Sequence, residues 1–244
     1  MESNTASRWC KYDEYAGFGL RLIDLARRLA VEHSWDHVER HDQHLVEDEN
    51  GPLYADELAW LYNDTGLIFC AEGHMQDTYR TWEQGYQLNR VIERGRRPGQ
   101  YEVQSLLHLS HTFIELGDLS VATSYLQDTE AANEQFRDAD YAARITGYRG
   151  LIDHLKGNLL DAKRYYDDAI ELLHGDARNP RAEAIFRRHY ADLLIEKKAF
   201  DHAEEEIRQC RALADGAKYP DLVAFSLISQ GHLFRAQRRF RLCA

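Results

Sequence analysis

Histidine is the residue type whose spacing in this chain could do chemistry. In HSWDHVERHDQH, His33, His37 and His41 recur at i, i+4 and i+8, His44 follows three residues later, and Asp36 lies among them. On a helix that spacing stacks the imidazoles along one side, and neutral imidazole is a ligand for zinc or nickel. The run departs from the hydrolytic zinc motifs. Val38 follows His37, so HExxH is absent, and Glu39 stands one place too early for the inverse HxxEH order. The simpler reading is the solvated face of an acidic helix. The sequence therefore predicts no metal and no cofactor, with His33, His37, His41 and His44 as the candidates if a metal is held at all.

Other signatures of catalysis are missing from the sequence. It contains no GxxxxGK phosphate loop, no GxGxxG turn and no GxSxG elbow. Cys10, Cys70, Cys210 and Cys243 are scattered without a CxxC pair, which speaks against a zinc site and against a secreted disulfide framework. The basic clusters Arg94, Arg96, Arg97 and Arg235, Arg238, Arg239, Arg241 read as solvated surface. The first has no interleaved aromatics, and those of the second are claimed by a core. We expect no catalytic residue and no enzyme activity.

The bulk composition narrows the partners. The chain has 244 residues, 44% hydrophobic and 29% charged, with 4 prolines and a net charge of −11. That balance belongs to an ordered chain, and the excess of acid gives no general attraction for nucleic acid or an anionic membrane. Protein, peptide or small-molecule partners are expected. No run approaches the length of an apolar membrane span, and the opening MESNTASRWCKYDE has no apolar export core. A cytoplasmic location follows as an expectation, with residues 1–11 a flexible N-terminus.

The elements that must position any site are helical. Apolar residues recur at three and four spacings in LRLIDLARRLA, ELAWLYNDTGLIF and YYDDAIELL, whereas strict alternation is absent. Pro52, Pro98, Pro180 and Pro220 each precede such a run. A repeat underlies them. Small residues Ala26, Gly66, Ser110, Gly150, Ala191 and Gly231 follow one another at 40, 44, 40, 41 and 40 residues. Nine residues after each stands an apolar one (Trp35, Met75, Leu119, Leu159, Phe200, Phe240), and twelve after each a compact one (Val38, Thr78, Ala122, Ala162, Ala203, Cys243). Trp82, Leu126, Tyr166 and Ile207 lie four residues further on, where a bulky side chain fills the space between helices. In the first copy Asp42 takes that place. The pattern predicts a repeated helical hairpin, its turn marked by Gly73, Gly117 and Gly157, that must stack on its neighbours to bury both faces.

This pattern resembles the tetratricopeptide repeat, most clearly in SHTFIELGDLSVATSYL and GLIDHLKGNLLDAKRYYDDAIELL. The period near 40 exceeds the usual 34 and looks like the longer variant of kinesin light chains and of sensor domains in bacterial signalling ATPases and transcription regulators. The resemblance implies an all-α, right-handed superhelical α-solenoid of antiparallel helix pairs over residues 12–244, with repeats at 12–50, 53–97, 99–137, 139–178, 180–218 and 220–244, the last incomplete. Its C-terminal edge, still apolar at Leu233, Phe234, Phe240 and Leu242, would mark a piece of a longer array or dock a partner or a second copy.

The resemblance also implies a peptide-binding inner face on the first helix of each pair. Carried over by position, it comprises Asn63, Leu67 and Cys70; Leu107, His111 and Ile114; Arg144, Gly147, Leu151 and His154; Arg188, Asp192 and Ile195; and Ile228, His232 and Arg235. No Lys occupies these places, so the carboxylate clamp of chaperone-binding members is not expected. The functional expectation is a non-catalytic protein or peptide-binding module. The alternative is a ligand-sensing regulatory domain of a larger signalling or transcription-regulating protein, and behind both stands a metal-dependent enzyme on the histidine run.

Overall fold

The computed structural model describes residues 19–23, 55–92 and 99–238. The histidine run, Cys10, Cys243 and the Arg94–Arg97 cluster lie outside them. Residues 19–23 are helical. Nine further helices follow among the described residues: α1 (Ala55–Ala71), α2 (Met75–Ile92), α3 (Gln100–Glu115), α4 (Leu119–Phe136), α5 (Ala139–Leu155), α6 (Leu159–His174), α7 (Pro180–Glu196), α8 (Phe200–Gly216) and α9 (Pro220–Ala236). No strand occurs among them. The chain divides into two compact units, residues 1–136 and 137–244. The first holds the pairs α1–α2 and α3–α4, with α2 also packed on α3. The second holds α5–α6 and α7–α8, followed by α9 on α7 and α8.

Local chemistry explains where these helices begin and end. The Asp138 carboxylate accepts from the Tyr141 N–H at 3.1 Å, and the Asn179 side chain accepts from the Ala182 N–H at 3.0 Å, capping α5 and α7. Pro180 and Pro220 occupy the first turn of their helices, where no N–H is needed. Within each pair the chain reverses through one residue of positive φ: Gly73 (78°), Gly117 (80°), Gly157 (83°) and Lys198 (58°). The next N–H reaches back to a carbonyl five residues earlier, as in Asn158 to Asp153 (2.8 Å) and Ala199 to Leu194 (2.9 Å), which closes the first helix. Lys198 takes a conformation that favours glycine, so this turn is geometrically the same while its residue type is not.

The repeat columns are the places where helices touch. A Cβ on Gly66 would run into the Trp82 indole, and one on Gly150 would come within 3.1 Å of the Tyr166 ring. Ser110 is small enough to fit and donates its hydroxyl to the Ala122 carbonyl at 3.0 Å. Ala191 is buried, as are Thr78, Ala122, Ala162 and Ala203 of the compact column and Trp82, Leu126, Tyr166 and Ile207 of the bulky one. Close backbone approach on one side and a bulky plug on the other fill each hairpin.

Two polar assemblies sit inside these cores. In the first unit Ser105 Oγ donates to Asn63 Oδ1 (3.3 Å), Asn89 Nδ2 donates to Ser105 Oγ (3.4 Å) and Trp82 Nε1 donates to the Asn63 carbonyl (3.1 Å), tying α1, α2 and α3 together. In the second unit buried Arg187 donates to Glu183 (2.8 Å) on its own helix and to Glu206 (2.7 Å) on α8. Satisfied networks of this kind carry little net energy but are costly to break.

Candidate functional site

The first helices expose a mixed row of side chains, and the two units are described in turn. In the first unit Leu67 is 44% exposed and Trp60, two turns earlier on α1, is 50% exposed. Between them lies half-buried Asp64, whose carboxyl is pushed above its usual range by desolvation. His111 is half-buried and faces Glu115 at 3.5 Å. The Cys70 thiol is half-buried, and burial, followed by the charge of Glu115, pushes it up. Asn63, Leu107 and Ile114 are buried. Their side chains lie inside the packed helices and not on the surface. Asn63 belongs to the polar tie between helices, and the two apolar residues are covered by neighbouring helices.

In the second unit the row on α5, α7 and α9 is knitted by polar contacts. Arg144 pairs with Asp140 at 3.5 Å, and Asn179 Nδ2 bonds the same carboxylate at 2.8 Å, joining the starts of α5 and α7. His154 stands between Tyr166 Oη (3.4 Å from Nδ1) and Glu196 (3.3 Å from Nε2), linking α5 to α6 and α7. Asp192 accepts from Ser229 Oγ at 3.1 Å and faces His232 at 3.8 Å, linking α7 to α9. The Arg188 guanidinium lies over the Phe225 ring, 4.8 Å from its centre. Arg235 and Ile228 are exposed, Ile228 by 53%, and Ile195 is half-buried. Leu151 and Gly147 are buried, and a Cβ on Gly147 would meet the Phe186 ring at 2.5 Å. Leu151 is therefore a core residue.

Sequence register missed Trp60 and Phe225. Both stand six residues before the small residue of their repeats, at Gly66 and Gly231. The signal was present, but an aromatic there reads as core until its neighbours are known.

An open depression of about 600 Å³ lies between α5 and α6, lined by Thr146, Tyr165, Asp168, Glu171, Leu172, Gly175 and Asp176. It includes none of the residues predicted from register. Among the described residues no group of three or more His, Cys, Asp or Glu is placed to hold a metal, and no helix is long and apolar enough to cross a membrane.

No family model matches the sequence, and no curated protein matches it closely enough to count as a relative. Solved structures do match its backbone. BtubC (BKLC) from P. vanneervenii aligns with a TM-score of 0.63 at 15% identity, over 95% of this chain and 86% of its own. The fold is that of a tetratricopeptide-like helical repeat. A putative kinesin light chain of Podosopora anserina with nearly identical TPR-like repeats aligns at 0.54 and 12% identity, over 78% of this chain and 91% of its own. A signal transduction ATPase with numerous domains from Pyrococcus horikoshii, which carries a tetratricopeptide repeat sensor, aligns at 0.54 and 15% identity. The match covers 95% of this chain and 37% of that protein. This tetratricopeptide-like chain thus shares its backbone with helical repeats of otherwise different proteins.

Proposed function

We propose that this repeat protein is a non-catalytic binding module that takes a protein or peptide on the outward side of its first helices. The observation that carries this reading is the set of large apolar side chains left half in solvent there: Trp60 and Leu67 on α1, and Phe225 and Ile228 on α9. Each pair lies at helical spacing on a helix whose other side is locked into a core, so the side chains are presented without an ordering cost at binding. Polar neighbours such as His111 in the first unit, and Arg188, Asp192 and His232 in the second, supply directional bonds beside them.

The test is affinity capture from native lysate, with the whole chain set against Leu67→Asp and Ile228→Asp variants whose circular dichroism and melting match the parent. Loss of a reproducible partner in at least one variant supports the reading. A partner retained by both moves binding off the first helices and overturns it.

A further inference from the structure

Helix α9 has two unlike sides. Leu222, Ser226, Ser229 and Leu233 are buried and recur at four, three and four residues, so one stripe faces α7 and α8. On the rest of the helix Phe225, Leu227 and Ile228 are 41%, 51% and 53% exposed, and Arg235 and Arg238 are exposed beyond them. Charges at the start of α9 are neutralised, because Arg181 holds Asp221 through two bonds of 2.6 and 3.4 Å. At its far end neither Arg235 nor Arg238 has a carboxylate partner among the described residues. The sequence from 222 to 244 contains no Asp or Glu side chain, in a chain with a net charge of −11. An apolar patch along α9 thus runs into uncompensated cations at and just beyond the end of the helix.

The complementary surface is on the same unit. The depression between α5 and α6 carries Asp168, Glu171 and Asp176, all exposed and none with a cationic partner among the described residues, around half-exposed Leu172. Arg164 and Arg149 lie over the ring of Tyr165 at its rim, and Arg164 is already held by Asp161 at 3.1 Å. Three carboxylates remain in excess near the C-terminal end of α6, where the helix dipole adds further negative potential.

We propose that the outward side of α9 docks into the α5–α6 depression of a second copy of this chain. Leu227 and Ile228 would cover Leu172 and Tyr165, and Arg235 and Arg238 would meet Asp168, Glu171 and Asp176, while Phe225 stays under the Arg188 guanidinium. The contact joins two different surfaces, so association is head to tail, growing as open chains or closing as a ring where the rotation allows. It takes Ile228 of α9 out of the binding surface proposed above and leaves Trp60 and Leu67 of the first unit free for a partner.

The experiment measures mass by light scattering and sedimentation for the whole chain and two charge variants, the reversed R235E/R238E and the neutralised D168N/E171Q. The parent should rise above its monomer mass of 28.4 kDa as concentration increases. Raising salt from about 0.05 to 0.5 M should weaken that association at least tenfold. Each variant alone should stay monomeric, having lost one of its two surfaces. Mixing the variants in equal amounts should produce a species of twice the monomer mass and nothing larger, since one intact surface remains on each partner. Both changes lie on exposed positions, and matching melting curves show that folding is intact. A parent that stays monomeric at millimolar concentration and low salt overturns the proposal. So does a variant that still dimerises alone, or a mixture that forms no dimer. If the parent is monomeric but Leu67→Asp still abolishes partner capture, the binding-module reading stands and only the docking of copies falls.

Discussion

Trp82 fills the place where Gly66 has no side chain, and its Nε1 donates to the Asn63 carbonyl at 3.1 Å, so α1 and α2 are joined by one indole at their closest approach. The same relation recurs between Gly147 and Phe186 on α5 and α7, where an added Cβ would sit 2.5 Å from the ring.

Glycine at these crossings is therefore a packing requirement. Gly66→Ala and Gly147→Ala should each lower stability by about 1–3 kcal/mol, the usual cost of forcing atoms into a filled core. Gly231 is helical too, but an added Cβ there meets nothing within 4 Å. Gly231→Ala should raise stability by up to about 1 kcal/mol through helix propensity alone. Chemical denaturation of the three variants reads both signs.

The hairpin turns allow a second pair of opposite changes. Gly117 sits at φ 80° with open space around it, so Gly117→Ala should cost about 1 kcal/mol through backbone conformation and not through a clash. Lys198 holds the equivalent turn at φ 58°, so Lys198→Gly should relieve strain and raise the denaturation midpoint. Equal effects at both sites would show that the turns do not share this requirement.

Arg187 is the hub of a buried charge network, with Glu183 at 2.8 Å and Glu206 at 2.7 Å. Arg187→Ala leaves buried Glu183 without its guanidinium and should cost about 3–5 kcal/mol. Replacing the set with neutral residues, as in Glu183→Gln with Arg187→Met and Glu206→Gln, should recover most of that loss. Calorimetric melting of the single and triple variants separates loss of charge compensation from loss of packing.

Alkaline pH should weaken the second unit. Burial pushes the Cys210 thiol from 9.0 up to about 11, and burial likewise raises Tyr166 and Tyr190 above their usual range. The folded state then holds protons that the unfolded chain has released, so stability is full below pH 9 and falls as pH rises through about 11. Denaturant midpoints measured from pH 8 to 11 should decline, and Cys210→Ala should decline less steeply across the same window. At pH 8 native Cys210 should resist alkylation, reacting only once the chain is unfolded.

Much of the architecture was legible because the repeat is written in residue size. Gly66, Ser110, Gly150 and Ala191 must be small wherever two backbones meet, and Trp82, Leu126, Tyr166 and Ile207 must be bulky wherever a hairpin needs a plug, so a period near 40 shows through in residue size alone. Which first-helix side chains are exposed was legible only in part. Register places Asn63, Leu107 and Leu151 on the side of the helix that carries Leu67 and Ile228, yet the first three are buried and the last two stand in solvent.

The sequence by itself determined the helical hairpin, its period and the small-to-bulky contacts, because those are set by each residue's volume and its spacing along one helix. Tertiary structure alone decided which first-helix side chains reach solvent, that Asn63 and Arg187 serve the core, and that the cations at the end of α9 and the carboxylates beside α6 lack ion-pair partners among the described residues. Those outcomes depend on what the neighbouring helices cover, and a residue's position on its own helix does not contain that information.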